Sequence, residues 1–183
     1  MKRWLAVAAA AAAVGLGVPA WVAPASAGGA PYCGIRWGSL PKDAGVLSRA
    51  HLAGVRAGQH ACFDRLVLDF DARARGYSVR YVAQVTEDGS GRTVPLRGGA
   101  KLQIVARAPA YDDSGRPTYL PHNRSELVNV AGWRTFRQVA WAGSFEGQTT
   151  VGLGARARLP FRVFTLDGPG GGSRIVIDVA HRW

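Results

Sequence analysis

From residue 63 onward, apolar and polar side chains alternate with a period of two. Leu66, Leu68 and Phe70 fall on one side of residues 63–71, and Arg65, Asp69 and Asp71 on the other. That is the pattern of a strand burying one face. Tyr77, Val79, Tyr81, Ala83 and Val85 alternate with Ser78, Arg80 and Gln84 and predict a second strand. Leu102, Ile104 and Ala106 repeat the pattern over residues 101–108, and residues 133–145, 148–153, 161–166 and 174–180 read as further strands. Residues 87–91 (Glu-Asp-Gly-Ser-Gly) predict a turn, and the Gly-Pro-Gly-Gly-Gly run at 168–172 a hairpin-like link, since Gly and Asp tolerate the backbone angles of tight reversals. Many short strands with little helical periodicity predict an all-β fold, a β-sandwich of short, mainly antiparallel strands.

Two stretches lack this order. Residues 28–54 form an irregular N-terminal arm with scattered Gly and Pro, in which residues 46–52 allow a short helix limited by Gly54 and Gly58. The sandwich domain is therefore expected over 55–183. Residues 109–123, with Pro109, Pro117 and Pro121, predict a long surface loop, a common place for function on a rigid scaffold.

The first 27 residues belong to neither part. Lys2 and Arg3 precede an apolar run from Trp4 to Val18, and Ala25-Ser26-Ala27 supplies a small-residue cleavage site. This is the layout of a secretory signal peptide, because the apolar run is short and meets Gly15, Gly17 and Pro19. Cleavage after Ala27 and a secreted, extracytoplasmic location with association to the cell wall are expected. The residues before Cys33 do not form a lipoprotein box, and no later stretch predicts a transmembrane segment. In an exported chain the pair Cys33 and Cys62 reads as a disulfide.

The formal net charge is +11, and losing Lys2 and Arg3 with the leader lowers it to +9. Such a surface favours anionic partners, with affinity falling as salt rises. Arg134, Arg137, Arg156, Arg158 and Arg162 lie near Trp133, Trp141 and Phe145 in sequence and are the candidate binding residues. Arginine offers a donor fork to carboxylate or phosphate, and aromatic rings a flat face to sugars; the same aromatics also fit an inward-facing core. Nucleic acid is scarce outside the cytoplasm, so peptidoglycan or an anionic cell-wall polymer is the partner this pattern favours.

Catalytic and metal motifs are missing from the sequence: there is no Gly-x-Ser-x-Gly elbow, His-Glu-x-x-His or paired-cysteine zinc pattern. No catalytic residue, cofactor or metal ligand is assigned. His51, His60, His122 and His181 are scattered, and Asp112-Asp113-Ser114 lacks the regular spacing of a calcium loop. One enzymatic alternative stays open, a small hydrolase using a face formed by Asp64, Asp69 and Asp71, although cross-strand charge pairing with Arg65 accounts for those carboxylates too. A third alternative is a protein-interaction module using a sheet edge or the 109–123 loop.

Several runs carry a family resemblance. Residues 62–70 (Cys-Phe-Asp-Arg-Leu-Val-Leu-Asp-Phe) resemble the opening strand of the AMIN-like domains of exported bacterial proteins. Residues 144–154, from Ser144 through Glu146-Gly147 to Gly152-Leu153-Gly154, residues 159–164 and the closing residues 173–179 fit the same pattern. That family is distantly similar to the N-terminal domain of cell-wall amidases, a β-sandwich that directs enzymes to peptidoglycan. The resemblance implies an envelope-binding module and supplies no catalytic residues.

Overall fold

The structure is a computed structural model and describes residues 31–183; the leader and its cleavage site at Ala27 lie outside them. Eleven strands follow in order: β1 (Lys42–Ala44), β2 (Leu52–Gln59), β3 (Phe63–Phe70), β4 (Tyr77–Val82), β5 (Val85–Thr86), β6 (Thr93–Val94), β7 (Ala100–Ala106), β8 (Phe136–Phe145), β9 (Gln148–Ala155), β10 (Phe161–Asp167) and β11 (Ser173–Ala180). A five-stranded sheet runs β1-β4-β7-β9-β8, a four-stranded sheet runs β10-β11-β3-β2, and β5 and β6 form a small third sheet. The pairings are antiparallel. The alternation read from the sequence is thus the sandwich's inside and outside: Leu66, Leu68, Phe70, Ile175 and Ile177 meet Val79, Leu102, Ile104, Val151 and Leu153 in one core.

The arm differs from its expectation. No helix forms at residues 46–52; that stretch is extended, with the Ser48 amide bonded to the Arg107 carbonyl and the Leu52 amide to that of Pro109. β1 and the start of β2 also lie inside the segment read as irregular. β2 hides its period because its outward residues include Gly54 and Gly58, while Val55 and Ala57 pack against the core. The Cys33–Cys62 disulfide is formed, with Cα atoms 6.4 Å apart, and ties the arm to the β2–β3 turn. Among the described residues no helix is long and apolar enough to cross a membrane.

The second strand of the sequence reading divides at Ala83-Gln84. Val85 then leaves the main sheet, pairs with Val94, and packs on Ala140 and Ala142 as a second small core. The outward positions of β9 make room for this hairpin's continuation. A Cβ on Gly154 would lie 2.0 Å from the Arg97 carbonyl oxygen, and one on Gly152 would lie 2.8 Å from the Leu96 side chain. Gly154→Ala is expected to lower stability by roughly 1–3 kcal/mol by overpacking, read from urea unfolding. Gly58→Ala, where a Cβ meets open space, should stay within about 0.5 kcal/mol of wild type and serves as its control.

Candidate functional site

The antiparallel registers decide which distant residues share an end of the sandwich. Phe136 at the start of β8 pairs with Ala155 at the end of β9, which pairs with Ala100 at the start of β7. In the other sheet Phe161 opens β10 opposite Val179, and Ala180 pairs with Phe63. The sheets are joined at this end by Asp64, whose Oδ2 accepts the amides of Thr135 at 2.8 Å and Phe136 at 2.9 Å. Arg134, Arg137, Arg156, Arg158 and Arg162 therefore gather at one end of the molecule, although they come from the approach to β8, β8 itself, the β9–β10 link and β10.

Most of these arginines are held in place. Arg137 Nη1 donates to the carbonyls of Trp133 at 2.8 Å and Phe136 at 2.9 Å. Arg156 donates to the His181 carbonyl, and its amide bonds the Thr135 carbonyl at 2.9 Å. The Arg158 guanidinium lies 5.0 Å from the Tyr81 ring centre and reaches the Ser39 carbonyl at 3.4 Å. Arg134 is exposed, and no hydrogen bond or ion pair joins its side chain to another described residue. Each guanidinium carries five N–H groups, so the anchored ones keep donors free for a ligand. Arg97 and Arg182, not singled out from sequence, join the group: Arg97 Nη2 bonds the Arg137 carbonyl at 2.9 Å, and the Arg182 guanidinium lies 4.6 Å from the Tyr32 ring centre. Only pairing across the sandwich reveals their nearness.

Arg162 does different work. With Arg65 it grips Asp178, which is fully buried: Arg65 donates at 2.6 and 2.9 Å and Arg162 at 2.7 Å. Both guanidinium groups also lie over aromatic rings, Arg65 at 5.1 Å from Phe63 and Arg162 at 5.5 Å from Trp37. Asp64 and Asp178 are both at 0% exposure, so the side-chain carboxylate that reaches the surface beside these arginines is Glu126, paired with Arg97 at 2.5 Å, and the guanidinium groups outnumber it.

The Asp64, Asp69 and Asp71 face required by a hydrolase does not exist. Asp64 points into the sandwich with the even-numbered core residues. Asp69 points out, bonded by Arg56 at 2.6 Å and neighboured by Arg174 at 3.4 Å. Asp71 lies beyond the end of β3 and pairs with His51 at 2.8 Å. Period-two spacing placed them on one strand, but strand parity sends Asp64 to the opposite face from Asp69. Cross-strand charge pairing is what β3 carries out, through Arg65–Asp178 and Asp69–Arg174.

The histidines have structural contacts in three cases. His51 bonds Asp71, His60 stacks on Phe63 with ring centres 4.5 Å apart, and buried His181 bonds the Thr135 hydroxyl at 3.0 Å and the His60 carbonyl at 3.0 Å. His122 is exposed on the long loop. At Asp112, bonds from the Ser114 hydroxyl and from Arg116 hold the carboxyl well below the usual carboxylate range. They also occupy the oxygens that a calcium ion would need. Trp141 is core, as the inward reading had it, whereas Phe145 is half exposed.

A family model described as the AMIN-like domain matches residues 50–181. No curated protein and no solved structure matches the chain.

Proposed function

Because the chain belongs to the AMIN-like domain family, we propose that it works outside the cytoplasm as a non-catalytic module that binds peptidoglycan or an anionic cell-wall polymer through its arginine end. One observation carries this reading: Arg134, Arg137, Arg156 and Arg158 converge from separate elements onto an end whose carboxylates Asp64 and Asp178 are buried. Converging cations that outnumber the exposed carboxylate Glu126, with Asp64 and Asp178 buried, leave a surface potential that attracts polyanions. The family's likeness to the peptidoglycan-targeting domain of cell-wall amidases supports the same class of ligand, and the disulfide fits an exported protein.

Sedimentation of the exported chain with purified cell wall tests this. Binding is expected at low salt and should fall as salt screens the contact. The Arg134→Glu, Arg158→Glu double variant reverses two charges that no buried carboxylate holds. Its affinity should drop about tenfold or more at low salt, with the fold retained and the melting temperature lowered only by loss of the exposed Arg158–Tyr81 contact. Failure to sediment at low salt, or equal binding by the double variant, overturns the proposal.

A further inference from the structure

At the opposite end, where β8 turns into β9, the molecule carries a second and chemically different surface. Here the long loop of residues 109–124 faces the β5–β6 turn across an open groove of about 470 Å³. We infer that this groove is a binding site for an uncharged oligosaccharide, separate from the arginine end and independent of the function proposed for it.

Aromatic and apolar groups line the groove on its loop side and along β8, facing the polar β5–β6 turn. Phe145 is 50% exposed and Leu120 77% exposed, and Tyr119 packs on Trp141 with ring centres 5.5 Å apart. The exposed ring is supported from behind: Phe145 lies where a Cβ on Gly89 would be 3.5 Å from it, and Gly89 has φ +80°. One ring face is thus backed by the turn while the molecule leaves much of the side chain in water. The groove's shape is also fixed, since the Tyr111 hydroxyl accepts the Gly147 amide at 2.9 Å. Supported aromatic faces beside a few oriented polar groups are the usual make-up of a small-ligand site.

The polar groups are planar. Bonds from the Ser90 hydroxyl and the Arg92 guanidinium hold Glu87 below the usual carboxylate range. Across the groove Arg124 approaches Glu87 only to 3.5 Å and is itself 61% exposed. A carboxylate and a guanidinium fork that are loosely paired across an aromatic trough match adjacent hydroxyls of a pyranose, which donate to one and accept from the other. Glu87 and its neighbour Asp88 are offset by Arg92 and Arg124, so the groove carries little net charge and lacks the converging cations of the arginine end.

A peptide fits less well. Extended peptides bind by adding to a free strand edge, but the β8 edge is already occupied here. The Trp141 amide bonds the Arg124 carbonyl at 2.7 Å, and the Val139 carbonyl accepts the Leu127 amide at 2.8 Å. A sugar chain needs no such edge; it offers apolar ring faces to Phe145 and Tyr119 and hydroxyls to Glu87 and Arg124.

The experiment is a titration of the exported chain with N-acetylchitotetraose, followed through backbone amide shifts. Shifts are expected in residues 87–91, 110–124 and 141–148. Phe145→Ala and Tyr119→Ala should each weaken binding about fivefold or more while keeping dispersed, folded spectra. The Arg134→Glu, Arg158→Glu variant should bind the sugar as wild type does, so failure here and failure of wall sedimentation are read separately. Absence of shifts at millimolar sugar, shifts confined to other surfaces, or unchanged binding by Phe145→Ala overturns the inference. So does a response to unstructured peptides without one to the sugar.

Discussion

Asp178→Ala is expected to lower the unfolding free energy by about 3 kcal/mol, measured by urea denaturation. The carboxylate is fully buried and receives three charge-assisted bonds, two from Arg65 and one from Arg162. Removing it leaves two guanidinium groups whose side chains are only 24% and 32% exposed and flanked by Phe63, Phe164 and Trp37. Uncompensated charge in a partly desolvated site, more than the lost bonds, sets the size of the effect. The same sheet face holds its own control. Asp69 also sits between two arginines, Arg56 and Arg174, yet Arg56 is 55% and Asp69 28% exposed. Asp69→Ala should therefore cost about 1 kcal/mol or less. If the two variants lose equal stability, burial is not what separates the triads. Replacing Asp178, Arg65 and Arg162 together by leucine should recover most of the loss, since it removes the stranded charges along with their partner.

Loss of the disulfide has an effect of similar size. The bond closes a loop of 29 residues between Cys33 and Cys62, and the chain-entropy model assigns such a loop about 3–4 kcal/mol of stabilisation. The Cys33→Ser, Cys62→Ser variant should therefore unfold at markedly lower urea, and wild type treated with reductant should match it. From β1 onward the arm is also held by pairing with β4 and by Arg107 on Asp43 at 2.8 Å, whereas before β1 its remaining attachment is slight: the Phe161 amide bonds the Gly38 carbonyl at 2.8 Å, and Trp37 packs 5.9 Å from Phe63. A loss below about 1 kcal/mol would mean that these contacts, rather than the covalent bond, restrain the arm. Detachment has a structural consequence as well, because Trp37 covers Arg162 and so helps bury the Asp178 triad. The two perturbations should be non-additive, as expected for residues that share partners.

The sequence alone determined the strands that alternate cleanly and the class of fold they build. Residues 63–71, 101–108, 148–153 and 174–180 each became a strand within a few positions of their expected ends, because burying one face of a sheet imposes a period of two that the side chains spell out. Cys33 and Cys62 were likewise readable as a pair. Where side chains are too small to show a period, as at Gly54 and Gly58, the strand was invisible. Where backbone bonds came from distant chain, as for Ser48 and Leu52, the local sequence allowed a short helix that never formed. Tertiary structure alone decided the rest. Strand parity and the Arg65–Asp178 pairing dissolved the apparent carboxylate set of Asp64, Asp69 and Asp71. The register between β8, β9 and β7 collected Arg134, Arg137, Arg156 and Arg158 at one end and placed Phe145 beside Glu87 and Arg124 at the other. Alternation is a property of neighbours along the chain, while a site is made by residues far apart in it, and only the closing of the two sheets fixes which of them meet.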